Sequence, residues 1–338
     1  MDEPHLAQIA WAVLDLPRAC RFYTDVLGFR RAGGRVLWGP GLSVLQELGD
    51  DAAATLWWAV GGQRFVQLEF FHHSLPAGRP RRADARASDL GWSRVTIGVP
   101  DLDAVLERAA RAGHRPIGPV VRDAGIARAA LRDPDGVVVE LIGDGGEVPA
   151  PAAAGGAAGA GVAIGATGAT AVARPAVRAV ALGVADLEGA ARFWIELCGL
   201  APQAPDVLHD ASHEALFGLE GARREIVAAR GGEVLLELVR YDPPHGRPQP
   251  ADRRLCDQGL LNAALAFRDR ARFDALLDRL RGAGHRATVE CPPGPFASTY
   301  LRDGEGNSFE LFASPEDHDA LLGFVPETGF APGTPLDP

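Results

Sequence analysis

The chain has few cysteines, few aromatics, no excess of positive charge and no long apolar run. Its four cysteines, Cys20, Cys198, Cys256 and Cys291, stand far apart in 338 residues, with no CxxC pair and no histidine at ligand spacing. That excludes a disulfide framework and a structural zinc site. Cys20 and Cys198 fall in helical patterns, where a free thiol packs as a small apolar group. No stretch of about 18 residues has transmembrane character. The opening MDEPHLAQIAWAVLDL lacks a charged region followed by a long apolar one, so no signal peptide is expected and the expected location is cytoplasmic. Basic residues number 34 against 44 acidic ones, a net charge of −10. Nucleic acid and anionic membrane are therefore excluded as partners, since both call for basic patches. Arginine supplies most of the basic residues and Ala and Gly are abundant, a compositional bias and not a chemical signal. What remains, 47% hydrophobic and 23% charged residues, is ordinary for a soluble globular chain of two domains.

A Gly/Ala/Pro-rich stretch at 149–175 divides the chain into nearly equal halves. It has little to bury and much backbone entropy to lose, which reads as a linker. The halves repeat each other: GRPRRADARASDLG from Gly78 to Gly91 matches GRPQPADRRLCDQG from Gly246 to Gly259 without a gap. Each half should be a copy of one fold. Each half also divides in two. IAWAVLDL, VTIGVPDL, VALGVADL and AALAFRDR are strands that run into Asp15, Asp101, Asp186 and Asp269, each placed to cap a following helix. Each quarter ends in a strand with a glutamate among apolar residues: Glu69 in FVQLEFF, Glu140 in GVVVELI, Glu237 in VLLELVR and Glu310 in SFELFA. Four β-α-β-β-β units are expected, in domains at 1–148 and 176–320 with a tail at 321–338.

RFYTDVLGF at 21–29, RFWIELCGL at 192–200, LRDPDGVVVEL at 131–141 and LRDGEGNSFEL at 301–311 resemble the vicinal oxygen chelate superfamily, the glyoxalase/bleomycin-resistance/extradiol-dioxygenase group. The resemblance spans nearly the whole chain apart from the linker and tail. It implies an α+β fold in which βαβββ modules pair into half-open β-barrels, here one barrel per half, each around a ligand pocket. Enzymes of the group hold a divalent metal there with ligands from the first and last strand of each module.

Carried onto this sequence, those positions are Gln8, Glu69, Arg94 and Glu140 in the first half, and Ala179, Glu237, Asn262 and Glu310 in the second. Glutamate stands at every last-strand position and histidine at none of the first-strand positions. A two-His-one-carboxylate iron site is therefore missing, and ring-cleaving dioxygenation is disfavoured. Arg94 cannot ligate a cation. It is expected to pair with Glu140 or Glu69 and keep the first pocket free of metal, with Gln8, Glu69 and Glu140 the weaker ligand set. Glu237, Asn262 and Glu310 offer three oxygen donors with no competing arginine. They form the preferred metal set, with Glu237 or Glu310 moving the proton. His209 and His213, at i and i+4, are candidates to enter a pocket. In the repeated segment, Asp89 and Asp257 are expected to fix turns.

Two functions stay open. One is an enzyme, an isomerase, epimerase or lyase that passes a small oxygenated substrate through an enolate with Mn, Mg, Co, Ni or Zn and no organic cofactor. The other is a metal-free protein that sequesters an antibiotic or natural product. A monomer or homodimer is expected in either case.

Overall fold

The computed structural model describes residues 3–49, 51–123, 126–143, 173–330 and 333–335. The first module runs β1 (His5–Ala12), α1 (Leu16–Arg21), β2 (Arg30–Gly39), α2 (Pro40–Leu45), β3 (Ala52–Val60) and β4 (Gln67–Leu75). The second runs β5 (Gly91–Val99), α3 (Leu102–Arg111), β6 (Val121–Asp123), β7 (Ile126–Arg132) and β8 (Val138–Gly143). The third runs β9 (Ala176–Gly183), α4 (Leu187–Ala191), β10 (Ala201–Gln203), β11 (Arg224–Gly231) and β12 (Val234–Tyr241). The fourth runs β13 (Gly259–Phe267), α5 (Arg270–Gly282), β14 (Ala297–Arg302) and β15 (Ser308–Ala313). It lacks one strand of the expected unit. Residues 286–296 hold Pro292, Pro293 and Pro295, which cannot donate to a ladder.

All four aspartates cap their helices. Their carboxylates accept from the backbone N–H of Arg18, Ala104, Gly189 and Ala271 at 2.8–3.0 Å. After α1 and α4 the chain continues as single π-helical turns, Phe22–Val26 and Arg192–Leu197, whose aromatics pack inward.

Strand pairing corrects the expected domains. The modules do not pair within each half. One sheet has the order β14-β15-β13-β1-β4-β3-β2 and joins the first module to the fourth. The other, β10-β11-β12-β9-β5-β8-β7-β6, joins the second to the third. The seams are antiparallel, β1 on β13 and β5 on β9. Neither path closes on itself, so each sheet is a half-open barrel. The physical reason lies in the repeated segments, which are crossovers that carry the chain from one sheet to the other. Of the expected linker, 149–172 lies outside the described residues. Pro175 follows it and its carbonyl accepts from the Gly62 N–H at 2.9 Å.

The expected tail is built into the first sheet. β16 (Glu327–Phe330) and β17 (Thr334–Pro335) pair with β2, and Phe330 packs on Trp57 at 4.7 Å. One apolar core joins the helices to the convex faces of both sheets, with Trp11, Trp194, Phe70 and Phe309 among its largest members. Separate, smaller clusters line the two concave faces. Among the described residues no helix is long and apolar enough to cross a membrane.

Candidate active site

Side chains alternate along a strand, so in each sheet the metal-type positions project onto the concave face. Irregularities in the seams bracket them. The β1–β13 register shifts on either side of Gln8–Ala10, and the β5–β9 register on either side of Arg94–Thr96. Such bulges re-aim side chains and twist the strand locally. Each glutamate lies beside the first-strand residue two places after the ligand position. Glu69 lies beside Ala10, Glu310 beside Ala264, Glu140 beside Thr96 and Glu237 beside Ala181.

The expected trio therefore does not converge. Glu237 sits in one sheet, and Asn262 and Glu310 in the other. Gln8 and Glu69 are likewise separated from Glu140. The groups that do meet are Gln8, Glu69, Asn262 and Glu310 in the first sheet, and Arg94, Glu140 and Glu237 with the silent Ala179 in the second.

In the first sheet all four polar groups are buried. Trp58, opposite Glu69 in the β3–β4 register, donates its indole N–H to Glu69 Oε1 at 2.9 Å. Ser298 donates to Glu310 Oε1 at 2.5 Å. Glu69 Oε2 and both amide atoms of Asn262 are buried without a hydrogen-bond partner. Burial and then the charge of Glu310 push Glu69 up to about 8, against hydrogen bonds from Trp58 and Gln8. Burial raises Glu310 to about 7, against its bond from Ser298. These two carboxyls face each other, and Arg35 offsets the charge of Glu69 only as the smallest influence on it. Beside them, Tyr300 lies opposite Glu310, and its hydroxyl accepts from Gln46 Nε2 at 3.4 Å. Gln46 Oε1 meets His73 Nε2 at 2.7 Å. Burial lowers His73 to about 4, which keeps its ring neutral.

The second sheet answers the same problem with protein cations. His209 bridges the two glutamates, Nδ1 to Glu237 Oε1 at 2.6 Å and Nε2 to Glu140 Oε2 at 2.5 Å. Arg94 donates to Glu237 Oε2 at 2.8 Å, Arg128 to Glu140 Oε1 at 2.9 Å and Thr96 to Glu140 Oε2 at 2.8 Å. Burial opposes the imidazolium, but Glu140 and Glu237 outweigh it and raise His209 to about 9. Burial would raise Glu237, yet His209 and Arg94 hold it at about 2, and Glu140 lies lower still. The expected Arg94–Glu140 ion pair is thus corrected. The partner of Arg94 is Glu237 of the third module, because β5 and β9 share a seam, and Glu140 takes Arg128 instead.

His209 precedes a short 3₁₀ turn, Ala211–Phe217, that plugs this concave face, with Arg94 4.1 Å above the Phe217 ring. Space for the plug comes from Ala130 and Ala228, which stand opposite Glu140 and Glu237 where the first sheet has Trp58 and Tyr300. His209 was visible in the sequence only as a histidine four residues before another. His213 packs edge-on against the His209 ring, centroids 5.9 Å apart, and its Nδ1 accepts from the Asp210 N–H. Trp58, Tyr300 and Ser298 escape a reading of first and last strands alone, since they lie on the neighbouring strands.

Residues 5–141 match the sequence profile of the Glyoxalase/Bleomycin resistance protein/Dioxygenase superfamily. Over this part the chain is similar to that superfamily. The whole chain shares its fold. Glyoxalase I from Zea mays superposes with a TM-score of 0.58 at 15% identity, over 95% of this chain and 96% of the other. A putative dioxygenase from Bacillus subtilis superposes with a TM-score of 0.58 at 15% identity, over 97% and 92%. No curated protein matches the chain in sequence. At these identities the likeness carries the superfamily fold and no particular reaction.

The superfamily is generally metal-dependent, and the first sheet fits a divalent ion. Two carboxyls and two side-chain amides make an all-oxygen donor set suited to a hard cation. Three of those donor groups' atoms lack partners, and a cation would return both carboxyls to their charged form. Among the described residues no three His, Cys, Asp or Glu gather round one point, so the amides are indispensable to such a site. The second sheet does not fit, since Arg94 and His209 already neutralise its glutamates.

Proposed function

We propose that the chain is a divalent-metal-dependent enzyme of the vicinal oxygen chelate type, an isomerase, epimerase or lyase with one active site on the first sheet. The observation that carries this is the buried, mutually repelling pair Glu69–Glu310 beside the unpartnered Asn262, set against a second sheet whose equivalent pair is fully neutralised.

A divalent ion, if held here, would supply Lewis acidity to an oxygenated substrate. Gln8, Glu69 and Asn262 would hold the ion. Trp58 fixes Glu69 in one rotamer. Glu310 would move the proton, oriented by Ser298 through Oε1. Tyr300 stands beside both carboxyls with its own pKa pushed well up, first by burial and then by Glu310 and Glu69. It stays protonated and can donate to a developing oxyanion. The buried surroundings exclude bulk water from that charge. None of the four ligand positions is an imidazole, which keeps ring cleavage by a two-histidine iron site disfavoured.

The test is metal analysis of protein purified without chelator. About one Mn, Mg, Co, Ni or Zn per chain is expected. Glu69→Gln should lower the metal content or its affinity at least tenfold, Glu310→Gln should keep the metal while losing turnover, and Glu140→Gln should leave the metal content unchanged. Two metals per chain, or loss in Glu140→Gln alone, overturns the assignment to the first sheet. A metal-free protein that binds an aromatic natural product tightly replaces the enzyme with a sequestering protein.

A further inference from the structure

The two crossovers that join the sheets lock together with approximate twofold symmetry. Arg79 grips Asp257 at 2.6 Å and also Asp252, while Arg247 grips Asp89 at 2.7 Å and Asp84 at 2.6 Å. The Gln258 N–H donates to the Arg79 carbonyl, and the Leu90 N–H to the Arg247 carbonyl, both at 3.0 Å. The arginines and aspartates of these pairs are all repeated between GRPRRADARASDLG and GRPQPADRRLCDQG, so together they are scaffold.

Three arginines break the symmetry, and one of them, Arg82 opposite Pro250, is already paired with Asp84. Arg81 matches Gln249 of the other copy, and Arg253 matches Ala85. Both line one cavity of about 260 Å³ between the crossovers. Neither has a carboxylate partner among the described residues. Arg81 Nη1 is buried with no hydrogen-bond partner, and the Arg253 guanidinium makes a single bond, to the Leu260 carbonyl at 2.8 Å. The carboxylates on the wall, Asp89, Asp252 and Asp257, are already held by Arg79 and Arg247. Arg302 adds a third positive charge near Arg253, though it is paired with Glu47. Burial first, and then the charge of Arg81, push the Arg253 pKa down. Asp133 compensates Arg81 only in part, because Asp133 is itself raised to about 7 by burial and Asp135.

We propose that this crossover cavity is a binding site for a doubly charged oxyanion, phosphate as the free ion or at the end of a small monoester, held between Arg81 and Arg253. A dianion there relieves the repulsion of the two guanidinium groups and supplies the acceptor that Arg81 Nη1 lacks. The cavity is built from residues that take no part in the metal-type sites. It also touches both sheets through the crossovers, so occupancy strengthens the contact between them.

The experiment is thermal denaturation of the full chain in phosphate, in glycerol 3-phosphate and in sodium chloride at matched ionic strength. Phosphate should raise the melting temperature by about 2–4 °C above the chloride control at saturation. Calorimetric titration should give one site per chain. Arg81→Gln and Arg253→Gln should each reduce that shift by at least half while melting no lower in chloride, since each removes a repulsion. Arg192→Gln, on an exposed helix, and Glu310→Gln should keep the shift. Equal response to both ligands assigns the site to monoesters, and response to phosphate alone assigns it to the free ion. No shift beyond chloride in the unmodified chain, or an unchanged shift in the Arg81→Gln/Arg253→Gln double variant, overturns the proposal, and the first of these is read without any variant having to fold.

Discussion

His209 is a buried imidazolium held between two glutamates, and its charge is linked to stability. Its folded pKa of about 9 lies above the ordinary value of 6.5. The stability it contributes is therefore full below about pH 6.5 and is lost as pH rises through 9. At about 1.4 kcal/mol per unit the linkage amounts to about 3 kcal/mol. His209→Gln should remove this pH dependence and destabilise the protein at pH 6 by about 3–5 kcal/mol, because two carboxylates lose a shared partner. Urea unfolding at pH 6 and pH 9.5 measures both. A variant with the same pH slope as the unmodified chain would show that the ring is neutral in the folded state. Most of this environment could not be read from the sequence. The glutamates and their inward direction followed from strand alternation. Which cation each would meet depended on a loop between β10 and β11 and on alanines on the neighbouring strands, where no local pattern points to the pocket.

Elements were far more legible than sites. The strand–Asp–helix signature recurs four times, and each aspartate forms the cap its position implies, because capping is a contact within three residues and needs no tertiary information. Asp101→Ala removes the bond from the Ala104 N–H and should cost about 1 kcal/mol, or about 2–4 °C in melting temperature, with the fold intact by circular dichroism. No change in melting would mean that Asp101 is replaced at the cap by water without loss. The crossovers illustrate the opposite case. Asp89 and Asp257 do fix local turns, accepting from the Arg86 and Arg254 N–H groups at 2.8 and 2.9 Å. Their stronger partners, Arg247 and Arg79, come from the other copy more than 150 residues away. A glycine marks each approach. A Cβ on Gly78 would lie 2.1 Å from the Cys256 carbonyl oxygen, and one on Gly246 would lie 2.9 Å from that of Ser88. The repeat was visible in the sequence, but the fact that its copies bind each other was not.

At the scale of the molecule, the pairing of modules decides which residues share a pocket. The apolar alternation of β1 satisfies a seam with β5 as well as one with β13, and local patterning does not choose between them. The crossovers make the choice, since they send the second and fourth modules to opposite sheets. The consequence is physical: each half of the chain contributes one module to each sheet, so neither half holds a complete seam or a complete site. A protease site inserted into the Gly/Ala/Pro-rich stretch at 149–172 should cut the backbone without releasing two domains. The products should co-elute at the size of the intact chain in gel filtration and separate only in denaturant. The first half expressed alone would expose β1 and β5, and the second β9 and β13, as long unpaired apolar edges, and each should aggregate or dimerise through them. Co-expression of the halves should restore a single soluble complex with the metal content of the intact chain. Two fragments that separate under native conditions, each monomeric and folded, would instead mean that the modules pair within each half, and that Gln8 and Glu69 meet Glu140 after all.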